Sequence, residues 1–167
     1  MKKRKIAFTA VGVCLTAIIV KNLIFVEYKV EGVSMQPTYE EGRLLSINKL
    51  SLYFSSLKRF DVVVFQLPNS DDIYVKRVIG LPGDELHYKD DQLYVNGKAV
   101  NEPFLSPEDI DVTKQTGNFT LEDIIDKGTI PKGYIFVIGD NRIKSRDSRH
   151  FGLVKMDDVI GIVGNEE

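Results

Sequence analysis

Ile73-Tyr74-Val75-Lys76-Arg77-Val78-Ile79 runs straight into Gly80-Leu81-Pro82-Gly83-Asp84. A run of β-branched and aromatic side chains halted by two glycines and a proline reads as a strand ended by a tight turn. Upstream, Asp61-Val62-Val63-Val64-Phe65, bounded by Arg59 and by Pro68-Asn69, reads as a core strand. Downstream, Leu86-His87-Tyr88 and Gln92-Leu93-Tyr94-Val95 flank Lys89-Asp90-Asp91 as a hairpin, and Asn96-Gly97 marks another turn. Tyr134 to Ile138 is a strong strand and Val159 to Val163 a weaker one. The segment over about 101–133 is polar, with Ser, Thr, Asp and Pro throughout and a short helical hint at Leu121 to Ile125, and reads as a surface excursion. Short apolar runs punctuated by turn formers from Tyr28 onward predict a mostly-β domain, a sheet or barrel.

The N-terminal end has a different pattern. Lys2-Lys3-Arg4-Lys5 precedes a stretch from Ile6 to Val20 without a charge, then Lys21-Asn22 and the apolar patch Leu23 to Val26. A helix over 6–26, at ~1.5 Å per residue, matches a hydrocarbon layer of ~30 Å, with Lys21 reaching the interface. Val26-Glu27-Tyr28-Lys29-Val30 offers no small-x-small cleavage site, so the expectation is one retained transmembrane helix, not a removed leader. The basic residues of 1–5 then stay in the cytoplasm, and 27–167 lies outside the cell membrane.

Charge and composition exclude several functions. Residues 1–26 hold five basic side chains and no acid, so 27–167 carries 17 basic against 24 acidic groups, a net charge of −7. Such a surface repels phosphate backbones, and no nucleic-acid partner is expected. One cysteine, Cys14, makes neither an internal disulfide nor a multi-cysteine metal site. A Ser-His-Asp triad needs an imidazole, yet His87 and His150 adjoin no nucleophile motif and read as structural or solvated. They lie 63 positions apart, without the helical spacing of a zinc site. The Gly80–Asp84 turn matches neither a phosphate loop nor a dinucleotide fingerprint. No metal and no cofactor is expected.

A serine with a lysine as its base remains. In Gly32-Val33-Ser34-Met35-Gln36-Pro37-Thr38 the glycine permits a bend and Pro37 restricts Gln36 to extended geometry, which presents the Ser34 hydroxyl at a chain turn. Taken alone, a serine beside Gly and Pro is ordinarily just a turn residue. Alternation puts Lys76 on one face with Tyr74 and Val78. If that face is buried, desolvation draws the amine down from about 10.4 toward neutrality, as a general base requires. If it is exposed, Lys76 is a solvated edge charge, the reading that the strand alone favours.

Four blocks taken together carry a resemblance. Ser34-Met35-Gln36-Pro37-Thr38, Arg59-Phe60-Asp61-Val62-Val63-Val64-Phe65, Tyr74 to Asp84, and Gly139-Asp140-Asn141-Arg142 with Ser145, Asp147, Ser148 and Arg149 occur in order behind an N-terminal anchor. The chain resembles the bacterial type I signal peptidases, in the compact form of their Gram-positive members. The resemblance implies a β-rich Ser/Lys endopeptidase of the cell membrane that removes signal peptides from exported preproteins after small residues, Ala-x-Ala in type.

It further implies roles by position. Ser34 matches the nucleophile, Lys76 the general base, Ser145 the hydroxyl that orients the lysine, and Asp147 a supporting carboxylate with Arg77 and Arg149 as ion-pair partners. Met35 and Tyr74, joined by Val30, match the pocket for the residue before the cut. A serine that helps bind the oxyanion in some members is Gly32 here, leaving the Ser34 backbone N–H as the main donor. Preproteins and the lipid bilayer are the implied partners. A noncatalytic relative acting in surface-protein or pilus assembly is the principal alternative, and a Ser/Lys self-cleaving regulator a remoter one.

Overall fold

The computed structural model describes residues 12, 13, 16, 24–49, 56–68, 70–105 and 115–164. Most of the expected span over 6–26 falls outside those residues. Among the described residues no helix is long and apolar enough to cross a membrane. One boundary is corrected: Phe25 and Val26, expected to end the span, already belong to strand β1.

Eleven strands make up the described β structure: β1 (Phe25–Lys29), β2 (Leu44–Asn48), β3 (Val62–Gln66), β4 (Ile73–Gly80), β5 (Leu86–Lys89), β6 (Gln92–Val95), β7 (Lys98–Val100), β8 (Phe119–Thr120), β9 (Tyr134–Ile138), β10 (Val154–Lys155) and β11 (Val159–Val163). Two one-turn helices join them, α1 (Glu122–Ile125) and α2 (Ser148–Phe151). Seven strands form one antiparallel sheet in the order β1-β2-β11-β3-β4-β9-β10, and four form a second in the order β7-β6-β5-β8. The expected mostly-β class holds. The described sheets are open, with β1 and β10 at the edges of the larger one.

Central strands of that sheet are covered on both sides. Val62, Val64 and Val75 pack with Val30, Met35, Leu45 and Ile47, while Val63, Phe65 and Val78 pack with Ile135, Val137 and Val154. Fully burying such a side chain contributes roughly 1.5–3 kcal/mol. Strand β4 is consequently buried from Val75 through Gly80, so the alternation read from its sequence does not decide which side chains are dry. The strand also includes Gly80, where a Cβ would collide with Ile130 and Leu86.

The excursion over about 101–133 is only partly a surface feature. Leu121 and Ile130 are each 1 % exposed and pack with Leu86, Tyr88 and Leu93 in the core of the second sheet. Its scattered polar residues hide apolar positions that are too far apart in sequence to show a period.

Candidate active site

Ser34 sits in a turn built by its neighbours. Gly32 takes φ +77, a conformation that glycine adopts without strain. Turns then close through the Gln36 N–H to the Val33 carbonyl at 3.2 Å and the Tyr39 N–H to the Met35 carbonyl at 2.9 Å. The turn is clamped to the 139–142 loop by three further bonds. Asn141 donates its backbone N–H to the Ser34 carbonyl at 3.0 Å and its side-chain amide to the Val33 carbonyl at 3.1 Å, and the Thr38 hydroxyl donates to Asp140 at 2.6 Å. Close approach also requires Gly139, since a Cβ there would collide with the Ser34 carbonyl and Ser145 Oγ. The Ser34 N–H donates to no other described group.

Lys76 reaches this turn from β4. It is 4 % exposed, and its Nζ lies 2.7 Å from Ser34 Oγ and 2.8 Å from the Val75 carbonyl. Burial lowers its pKa to about 8, against the opposing pull of the Asp147 and Asp140 carboxylates. Of the two readings left open by the strand pattern, the buried one is realised. An amine in that range is half neutral near pH 8, where it can accept a proton.

Behind the dyad lies a set of buried charges. Asp147 is fully buried and receives Arg149 on both oxygens, at 2.8 and 2.9 Å, and the Gly139 N–H at 3.1 Å. Burial pushes its carboxyl up, but Arg149 and the Gly139 N–H outweigh that and hold it below the usual carboxylate value. The expected pair of Asp147 with Arg77 is corrected. Arg77 instead grips Asp140, at 2.8 Å through Nε and 2.5 Å through Nη2, and donates to the Phe60 carbonyl. Adjacent on β4 to Lys76, Arg77 faces the other way and meets the carboxylate nearest that face.

Ser145 is brought to the site, 4 % exposed, beside Gly139 and the dyad. Its Oγ makes no hydrogen bond to Lys76 or any other described group. It is still near enough to Asp147 to favour the charged carboxylate. His87 stacks on Tyr94, and His150 joins Asp147 in the capping box of α2. Neither lines the cleft.

The dyad opens into a cleft of about 520 Å³. Val30, Met35 and Tyr74 are among the residues that line it. Val30 and Met35 belong at the same time to the core cluster of the large sheet, and Tyr74 stacks on Phe65 at 5.5 Å. These three side chains give the cleft an apolar patch among charged neighbours such as Glu31 and Asp72. Among the described residues no group of three or more His, Cys, Asp or Glu is placed to hold a metal ion.

The sequence pattern that defines the family described as "Signal peptidase, peptidase S26" matches residues 3–164. The chain belongs to that family. It is 48 % identical over 169 residues to the signal peptidase I V of Bacillus subtilis, covering all of both chains. Over 155 residues it is 51 % identical to the signal peptidase I of Bacillus caldolyticus, covering 92 % of this chain and 84 % of the relative. Among solved structures, a signal peptidase I from Enterococcus faecalis superposes with a TM-score of 0.61 at 40 % identity, covering 66 % of this chain and 98 % of that one.

Several residues of this peptidase S26 site had no individual role in the sequence reading. Thr38, Asp140, Asn141 and Arg142 lie within the quoted blocks, and only contact shows what they hold. Arg142 is 2 % exposed and bonds Glu102, Thr116, Tyr88 and the Gly139 carbonyl, tying the 139–142 loop to the second sheet. Glu102 carried no signal, being one acid in a polar stretch.

Proposed function

We propose that the chain is a membrane-bound serine endopeptidase that cleaves N-terminal signal peptides from exported preproteins after small residues, with Ser34 as nucleophile and Lys76 as general base. The observation that carries this reading is the 2.7 Å approach of the buried Lys76 Nζ to Ser34 Oγ. When the amine is neutral, the hydroxyl donates to Nζ. As Oγ bonds the scissile carbonyl carbon, its proton passes to Lys76, and the carbonyl oxygen takes up negative charge facing the Ser34 N–H. Collapse breaks the C–N bond, and the Lys76 ammonium returns the proton to the departing amine. Water then attacks the acyl-enzyme and gives a proton to Lys76. Collapse breaks the bond between the acyl carbon and Oγ, the Lys76 ammonium returns that proton to Ser34 Oγ, and the signal peptide leaves as its carboxylate with the acid proton lost to solvent.

Asp147 and Asp140 act at a distance, supporting the ammonium that forms in each half-reaction. Val30, Met35 and Tyr74 receive the small side chain before the cut. The anchor belongs to the same proposal: the basic residues of 1–5 in the cytoplasm, a span from residue 6 to the start of β1, and the peptidase domain outside the membrane. Tethering an enzyme beside the bilayer that holds its substrate's apolar segment raises their effective concentration.

The test is incubation of the detergent-solubilised chain with a preprotein whose signal peptide ends in Ala-x-Ala, reading the new N-terminus by mass spectrometry. Cleavage directly after the second alanine, lost in Ser34→Ala and in Lys76→Ala, is expected. If both variants process the preprotein as fast as the parent, the mechanism is wrong.

A further inference from the structure

Two cations in the cleft have no part in the dyad chemistry. Lys144 and Arg146 line it together with Ser34 and Lys76. Both are exposed, whereas Ser145 between them is buried. Packing Ser145 inward against Gly139 leaves its neighbours directed to solvent. Among the described residues neither cation forms an ion pair, although the domain carries 24 acids against 17 bases over 27–167. Unpaired cations in an acidic domain leave charge available to a ligand.

Their place in the cleft gives the ligand a direction. One wall comes from Tyr28, from Val30 to Val33 and from Asp71 to Val75, where the acidic and basic side chains are the acids Glu31, Asp71 and Asp72. Lys144 and Arg146 come from the separate loop that carries Ser145 and, through Asn141, holds the Ser34 carbonyl. On the peptidase reading the residue before the cut lies against Val30, Met35 and Tyr74 on the first wall. The substrate chain then passes the dyad and continues onto the second.

We infer that Lys144 and Arg146 form a subsite for the first residues after the cut and select substrates whose mature end carries an acidic side chain there. The inference rests on the peptidase reading and adds a charge preference to it. Arg146 offers a carboxylate a two-pronged partner and Lys144 a point charge, and both repel a basic residue. Exposed pairs are individually weak, so attraction and repulsion together amount to about a tenfold difference.

The experiment uses peptides with an Ala-x-Ala site and Gln, Glu or Lys at the second residue after it, cleaved by the full chain in nonionic detergent at low salt. The expected ratio of kcat/KM for Glu over Lys is ~10, shrinking in 1 M salt as screening sets in. It falls toward one in K144Q/R146Q and inverts in K144E/R146E. K98E/K127E, which changes net charge equally outside the cleft, keeps the parent ratio. A ratio of one in the parent, or the parent ratio in K144Q/R146Q, overturns the inference. So does a ratio of one together with vesicle binding through anionic phospholipid that the double variant loses, which assigns the cations to lipid. Failure of the parent to cut even the Gln peptide sinks the peptidase reading instead. Fluorescence anisotropy of the same peptides on the Ser34→Ala chain then decides the charge preference: Glu bound about tenfold tighter than Lys sustains it, and equal binding overturns it.

Discussion

Asp147 raises the pKa of Lys76 without touching it: no ion pair joins the two, yet the carboxylate offsets part of the lowering that burial imposes. The depth of the amine and the acids behind it therefore set the pH at which Lys76 is neutral.

The rate should follow that neutral fraction. With chemistry rate-limiting, kcat/KM is expected to rise through a midpoint near pH 8, the pKa of Lys76. Asp147→Asn removes an acid that favours the ammonium, so the midpoint moves to lower pH even as overall activity falls. Asp140→Asn shifts it in the same direction. A midpoint that stays in place or rises in both variants contradicts this electrostatic account.

Stability carries the opposite imprint of the same amine. Lys76 has an ordinary value of 10.5 and a folded value of about 8. Between those limits the unfolded chain binds more protons, so stability rises with pH through that window. Below it the full cost of a buried ammonium is present, on the order of 3 kcal/mol by the linkage relation. Lys76→Met is expected to melt at a higher temperature than the parent at pH 7, with the gap closing as pH approaches 10. A gap that is constant from pH 7 to 10 contradicts the depressed pKa.

Removing one member of a buried pair should cost more than removing both. Asp140 is fully buried and paired with Arg77. Arg77→Met leaves the carboxylate with the Thr38 hydroxyl as its main partner, at an expected cost of about 3–5 kcal/mol in urea unfolding. The double variant R77M/D140L should recover part of that loss. Additive losses in the double-mutant cycle would show the two groups to be independent.

Gly139→Ala puts a methyl group where the Ser34 carbonyl and Ser145 Oγ already stand. The loop must move away from the Ser34 turn, at ~1–3 kcal/mol for overpacking. Preprotein cleavage is expected to fall much further than thermal stability, because small displacements at the dyad are amplified in rate. Equal activity with unchanged melting would mean that the loop yields freely.

Parts of the fold were legible because they carry their own signal. Asp61 to Phe65, Ile73 to Ile79 and Tyr134 to Ile138 are β-branched runs between turn formers, and they became the central strands β3, β4 and β9. Leu44 to Asn48 passed unread: it is short and mixed, and it is a strand because β1 and β11 supply partners on both sides. The site divides in the same way. Ser34 and Lys76 stood out through the blocks around them, whereas Glu102 became a partner of Arg142 only when the second sheet closed over the 139–142 loop.

By itself the chain's order of residues settled the β-rich class and named the hydroxyl and the amine, since period, turn chemistry and local motifs are properties of neighbouring positions. Folding decided the protonation of Lys76, the exchange of Asp147 for Asp140 as the partner of Arg77, and the direction in which Lys144 and Arg146 face. Each depends on burial and on distances between residues far apart along the chain, and those quantities do not exist until the sheet has formed.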